Sequence, residues 1–294
     1  MSGALCGEDS VISGPTGAVT LDSHKFAALG RPRTVWAIGA IHGEIDHLIP
    51  IHDHIANSFD PGDRLVYLGN FIGRGPSITE TVAEMLSFRR HILSIPSMLA
   101  SDVVYLRGAQ EEMWQKLLQL QFAPNPGEVL SWMLDQGVGA TLAAYGGDAR
   151  EGMASARDGA VQLTRWTNRL REAIRKADSH SHMFSALRRA AFSDPVRGEG
   201  DTNLGAILCV SAGLDPDRPL ATQGDSFWWS GAGFDRLDQP YEGYTRVLRG
   251  FDPDGAGVQT QQITVTLDGG AGRGGQIAAG RFGPGGEILD LITA

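Results

Sequence analysis

Only two cysteines occur in the 294 residues, Cys6 and Cys209. One stands near the N-terminus and one inside an apolar run, so a disulfide-built scaffold is excluded. No run of Lys and Arg is present and the formal charge is -9, so the chain lacks the clustered positive charge that nucleic acid or an anionic membrane surface requires. No window approaches ~18 uninterrupted apolar residues, and the first residues carry no basic stretch followed by an apolar one. Neither a secretory leader nor a membrane span is expected, and cytoplasmic residence is. What the chain does have is 42% hydrophobic residues, enough over this length for a well-filled core.

Residues 1–31 are small, Gly-rich and weakly patterned, and read as an N-terminal extension rather than a domain. Residues 32–294 read as one domain without internal repeats. An apolar run from Thr34 to Ile38, a helical stretch from Glu44 to Asn57 and a second apolar run from Leu65 to Leu68 give a β-α-β rhythm. A helix after Pro76, as far as Arg90, and a third strand from Val103 to Leu106 continue it. Residues 111–191 read as a helical insert, with Trp114, Trp132 and Trp166 on apolar faces. Strands follow at Leu204–Val210, Thr245–Arg249, Gln262–Leu267, Gln276–Phe282 and Ile288–Ile292, and the C-terminal ones are expected to form an antiparallel sheet.

The first three strands each end directly in a glycine-containing motif. These are Gly39-Ala40-Ile41-His42-Gly43, Gly69-Asn70-Phe71-Ile72-Gly73-Arg74-Gly75 and Gly108-Ala109-Gln110-Glu111, with Val210-Ser211-Ala212-Gly213 after a later strand. Ligands of α/β sheets collect beyond the carboxyl ends of strands, so the motifs are expected to converge on one site.

In their order and spacing these motifs resemble those of the calcineurin-like metallophosphoesterase superfamily. Within it they are most similar to the bacterial PPP-type serine/threonine phosphatases related to lambda phosphatase and diadenosine tetraphosphatase. Supporting stretches such as Gly213-Leu214-Asp215-Pro216 and Gln223-Gly224-Asp225-Ser226-Phe227-Trp228-Trp229 extend the resemblance over about residues 34–292. It implies an α/β fold, a metallophosphoesterase-type sandwich of two mixed β-sheets flanked by helices. The family patterns are Gly-Asp-x-His-Gly, Gly-Asp-x-x-Asp-Arg-Gly, Gly-Asn-His-Glu and two late histidines. Family members bind two divalent metals, such as Mn or Fe, through side chains at positions that here carry Ala40, His42, Asn70, Ala109, Ser211 and Phe251.

Of those positions only His42 keeps the family residue. The family's general-acid histidine is Gln110 here and the aspartate that orients it is Gly73. Two cations that clamp phosphoryl oxygens and generate hydroxide need negative and imidazole ligands, and glutamine supplies no useful proton near neutral pH. The resemblance therefore implies a pseudophosphatase without metal cofactors, serving as a binding, structural or regulatory subunit with an unidentified protein partner. The alternatives are an active metal-dependent phosphatase or dinucleoside polyphosphate hydrolase, and a phospho-ligand sensor. Arg74 keeps the phosphate-contacting arginine of the family, and with His42 it is the candidate anion-binding pair.

Other groupings read as structural. Asp46, His47, His52, Asp53 and His54 read as a solvated helix face that Pro50 disturbs, and His180 and His182 are treated the same way. Gly270-x-Gly272-x-x-Gly275 precedes a strand rather than a helix and reads as a turn, not a dinucleotide fingerprint. Trp228 and Trp229 are expected in the core.

Overall fold

A computed structural model describes residues 11–13, 20–197 and 203–294. Cys6 and most of the stretch expected to be an extension lie outside the described residues. The strands are, in order, β1 (Val11–Ser13), β2 (Thr20–Asp22), β3 (Phe26–Gly30), β4 (Val35–Ile38), β5 (Arg64–Tyr67), β6 (Val103–Tyr105), β7 (Ala190–Ser193) and β8 (Val196–Arg197). They continue with β9 (Asn203–Gly205), β10 (Ile207–Val210), β11 (Arg246–Arg249), β12 (Gln259–Thr260), β13 (Thr264–Thr266), β14 (Ala278–Phe282) and β15 (Ile288–Thr293). The α-helices are α1 (Ile45–Ala56), α2 (Ile78–Leu93), α3 (Ala109–Leu117), α4 (Pro126–Asp135), α5 (Gly139–Ala144), α6 (Ala149–Arg157), α7 (Ala160–Lys176), α8 (His180–Ser185), α9 (Ser226–Trp229) and α10 (Gly231–Phe234).

Two mixed sheets carry the fold, one ordered β15-β14-β4-β5-β6 and the other β12-β13-β11-β10-β7-β3. β4 and β5 pair in parallel from Val35↔Arg64 to Ile38↔Tyr67, and β5 pairs β6 from Leu65↔Val103 to Tyr67↔Tyr105. Parallel neighbours need crossovers, and α1 and α2 supply them. Both faces of these strands are buried, which is why they read as continuous apolar runs rather than as alternating ones. Val35, Ala37 and Val66 pack with Leu248 and Val265 in the layer between the sheets. Trp36, Ile38, Leu65 and Tyr67 point the other way, into the core shared with Leu48 of α1 and Val82 of α2. Helices flank both outer faces, and α3 to α8 form the expected insert.

Four expectations are corrected. Phe26–Gly30, placed in the extension, pairs in parallel with β7 as an edge strand of the six-stranded sheet; its five residues are too short and too Gly- and Ala-rich to show a period. The C-terminal strands do not form one antiparallel sheet. β11 and β13 are parallel partners in one sheet, and β14 and β15 join the other beside β4. Pairing partners are set by tertiary packing, and strand periodicity carries no information about them.

Two of the histidines read as solvated are also buried. Helix α1 continues through Pro50, at the cost of one backbone hydrogen bond, and turns His52 inward. The Nδ1–H of His52 donates to Glu84 Oε1 at 2.6 Å and its Nε2 accepts from the Tyr67 hydroxyl at 2.9 Å. Its ring stacks on Phe88 with centroids 3.9 Å apart, and burial holds its pKa below the ordinary value against the pull of Glu84. His180 is likewise buried, on the Tyr145 hydroxyl. Lastly, Trp228 is in the core, but Trp229 and Trp132 are 43% and 46% exposed and pack on each other at 5.8 Å.

His52→Ala is expected to cost about 2–4 kcal/mol, because it opens a cavity and strands the buried Tyr67 hydroxyl. His54→Ala removes an exposed hydrogen bond to Asp290 and should cost less than about 1 kcal/mol. Urea unfolding of both variants measures the difference.

Candidate functional site

The motifs converge as their strand-end placement requires. The backbone carbonyl of Asn70 accepts from the N–H of Ile41 at 3.0 Å and of His42 at 2.8 Å, which ties the first motif to the second. Ala40 N–H donates to Gly250 O, and Gly250 N–H and Phe251 N–H donate to Ser211 O, which brings in the loops after β10 and β11. Gly69 and Gly108 pass so close that a Cβ on Gly69 would lie 2.6 Å from Gly108 N, and one on Gly108 would lie 2.4 Å from Asn70 N. His42 and Asn70 both adopt left-handed backbone, with φ of 53° and 54°, a strain that the surrounding hydrogen bonds sustain.

Glu111 joins the second and third motifs. Its buried carboxylate accepts from Asn70 N–H (2.8 Å), Ile72 N–H (3.2 Å) and Gly108 N–H (2.8 Å). Burial raises its pKa above the ordinary value, while these backbone donors favour the charged form. The first turn of α3, where the helix dipole is positive, suits a carboxylate.

The positions implied as metal ligands are brought together here. Ala40, Ala109 and Phe251 present only carbon. Asn70 Oδ1 accepts Gln110 N–H at 3.0 Å, so the amide is oriented with its Nδ2 hydrogens toward the site. His42 Nδ1 bonds Ile72 O at 3.2 Å, leaving Nε2 as a lone-pair acceptor. His42 Nε2, Asn70 Nδ2, Gln110 Oε1 and Ser211 Oγ are all buried and make no hydrogen bond within the protein. A divalent ion placed here would meet one imidazole nitrogen, one hydroxyl and the amide oxygen of Gln110, face the amide hydrogens of Asn70, and find no carboxylate. This donor set does not fit the pair of divalent metals that the resemblance implies. Among the described residues no group of three or more His, Cys, Asp and Glu is placed to hold a metal ion.

The side chains at these positions fill the space. Phe251 sets its ring edge-on to His42, with centroids 5.8 Å apart. Gln110 donates through Nε2 to Gln136 O at 2.8 Å and crosses the room a side chain at Gly73 would need, its Cγ lying 2.8 Å from that Cβ position. His42 is 1% exposed. Burial, with the nearby charges of Arg74 and Arg273, pushes its pKa down to about 3, so the ring is neutral at physiological pH. Of the expected anion-binding pair, only Arg74 is charged and exposed, and it makes no hydrogen bond or ion pair.

A buried ionic network beside the site escaped the sequence reading. Arg249, 2% exposed, reaches Asp252 at 3.3 Å and Asp235 at 3.1 Å. Asp268 Oδ2 accepts from Asp252 N–H at 2.9 Å and pairs with Arg273 at 2.6 Å, whose guanidinium lies over Phe251. Asp252 and Asp268 stand beside Pro and Gly and read as turn residues; their adjacent Gly and Pro gave no sign that they also anchor this network. Glu111 was visible as the last residue of its motif, without a role. Gly270 to Gly275 form a turn that leads into β14, as expected.

No family model matches the sequence, and no curated protein matches it. Among solved structures, the chain is similar to a candidate diadenosine tetraphosphatase, with 16% identity, a TM-score of 0.51, and 92% of this chain and 98% of that chain covered. A serine/threonine phosphatase of Saccharomyces cerevisiae similar to human phosphatase PP5 gives 13% identity and a TM-score of 0.48 over 92% and 82% of the two chains. A cold-active protein-tyrosine phosphatase of a psychrophilic Shewanella gives 13% and 0.37 over 97% and 90%. The last two likenesses are too weak to assign a fold. The first, with the sheet order above, makes this a protein of the metallophosphoesterase-type fold.

Gly272 seals the site from the third side. At φ +72° its Cβ would stand 2.7 Å from His42 Cβ and 3.0 Å from Arg74 Cβ, whereas Gly274 at φ +84° has nothing within 4 Å. Gly274→Ala is expected to cost about 1 kcal/mol from backbone strain alone. Gly272→Ala should cost about 2–4 kcal/mol, because it must also displace the site. Equal costs in denaturant unfolding would show that the turn does not rest on His42 and Arg74.

Proposed function

We propose that this chain is a catalytically inactive member of the metallophosphoesterase superfamily, of the PPP type, kept as a binding, structural or regulatory subunit of a protein assembly. One observation carries the reading. At the strand ends where two cations would be held, Ala40, Ala109, Ser211 and Phe251 offer no charged donor, and the remaining His42 is buried beneath Phe251. Phosphoryl transfer in such a site depends on cations to neutralise the developing charge and to generate the nucleophile. A neutral site of one imidazole, two amides and one hydroxyl supplies neither, and Gln110 supplies no acid. The chain's own metals are therefore lost in this reading, and its partner is a protein rather than a nucleic acid, in keeping with the charge of -9.

The direct test is hydrolysis of p-nitrophenyl phosphate with added Mn²⁺, together with elemental analysis of the purified chain. No turnover above the protein-free rate and far less than one metal per chain are expected. Turnover accompanied by about two metals per chain, the stoichiometry of a two-metal clamp, would overturn the proposal in favour of a metal-dependent phosphatase or dinucleoside polyphosphate hydrolase.

A second reading, phospho-ligand sensing, is favoured by the free guanidinium of Arg74, since planar bidentate donors suit phosphate. His42 adds no charge to it. Calorimetric titration with inorganic phosphate and a phosphopeptide should give binding that Arg74→Gln abolishes; a flat titration of the parent chain removes this reading and leaves the scaffold role.

A further inference from the structure

Away from the motif site, a cavity of about 330 Å³ opens at the seam between the end strands of the two sheets, where Arg188 N–H donates to Tyr105 O at 2.9 Å. β3 ends one sheet and β6 the other. Leu86 and Arg89 of α2 and His182 and Met183 of α8 close the cavity over them. Phe26, Leu86, Val104 and Met183 give it an apolar body, and its polar lining is Ser23, Ser101, Tyr105, His182, Arg89 and Arg188, with no carboxylate.

Acidic residues outnumber basic ones by 34 to 25, and many arginines of the described part have a carboxylate within reach, among them Arg33, Arg64, Arg107, Arg169, Arg236 and Arg249. Arg89 makes no hydrogen bond or ion pair although it is only partly exposed. Arg188 spends one nitrogen, Nη1, on the carbonyls of Ala186 and Leu187 at 2.7 and 3.4 Å, and pairs with no acid. Two guanidiniums line one largely apolar cavity that holds no carboxylate, and an anion there would accept their unused donors in charge-assisted hydrogen bonds. The remaining nitrogens of Arg188 and all of those of Arg89 are free to donate. The volume is in the range of small-molecule sites, which are mostly apolar with a few convergent polar groups.

We propose that this seam cavity binds a small amphipathic anion, a carboxylate, sulfonate or phosphate monoester on an aliphatic or aromatic body. The body lies against Phe26, Leu86, Val104 and Met183, and the anionic head meets Arg89 and Arg188. Because the ligand touches an edge strand of each sheet together with α2 and α8, its binding stabilises their mutual packing by mass action.

The probe is 8-anilinonaphthalene-1-sulfonate, an aromatic body with one anionic group, titrated against the full chain by fluorescence and calorimetry. Saturable binding at a single class of site is expected. Arg89→Gln should weaken it at least about ten-fold, as the loss of a charge-assisted contact predicts, and the uncharged N-phenyl-1-naphthylamine should bind at least as poorly. Arg89 has no structural partner, so Arg89→Gln is expected to keep the parent's unfolding midpoint. Arg188→Gln also removes bonds to the end of α8, and serves only as a second variant once its circular dichroism is shown to be native. Unchanged affinity in Arg89→Gln, equal binding of the neutral analogue, or absence of saturable binding would each overturn the proposal. Loss on Arg74→Gln with Arg89→Gln unaffected would place the probe at the motif site and overturn it as well, independently of whether the chain is a pseudophosphatase.

Discussion

The arrangement of the site depends on a single carboxylate. Glu111 gathers the N–H groups of Asn70, Ile72 and Gly108, and through them holds the turn after β5 against the turn after β6. Asn70 in turn fixes the first motif through its carbonyl and the start of α3 through its side chain. Without that carboxylate three buried donors would lie unpaired, each costing about 1–3 kcal/mol. The close passage of Gly69 and Gly108 and the left-handed backbone of His42 and Asn70 would then lose their support. Glutamate at this position therefore has a use that is independent of any reaction.

Around this frame, the neighbouring side chains form a mutually adjusted set. Gln110 occupies the room a side chain at Gly73 would need, and Phe251 packs in a T-shaped contact with His42. Arg273 bridges Phe251 to Asp268, and Asp268 is linked through the backbone of Asp252 to the buried Arg249. Voids in a packed interior are costly. Here side chains occupy the centre of the site, although four polar atoms remain without protein partners. The result is a site whose backbone geometry is that of strand-end loops built to approach a ligand and whose centre is neutral and shielded. Positive charge at its rim comes from Arg74.

Much of the fold was legible along the chain. The β-α-β rhythm from Thr34 to Leu106 was readable because strands buried on both faces are continuously apolar, while the crossover helices carry a helical period. The helical insert was visible for the same reason. Strand partners were not, since β11 to β15 have similar patterns and only the packing of two sheets divides them. His52 escaped because a histidine among charged neighbours looks solvated until the helix turn that aims it at Tyr67, Glu84 and Phe88 is known. Trp229 escaped in the opposite sense: sequence adjacency to Trp228 could not say which of the two rings the short α9 would turn outward.

For the site, the sequence by itself determined its composition: which positions end the strands, that Ala40, Ala109 and Phe251 carry no donor, and that His42 and Arg74 stand among them. Those are properties of residue identity and local order, and both are written along the chain. Only the tertiary structure decided that His42 is buried and neutral, that Asn70 presents its amide hydrogens rather than its oxygen, and that Arg74 stands unpaired. The same holds for Arg89 and Arg188, which come from α2 and from the start of the strand after α8 and share a cavity only because two sheet edges meet. Solvent access, tautomer, amide orientation and charge pairing depend on groups distant in sequence, and folding alone brings those groups together.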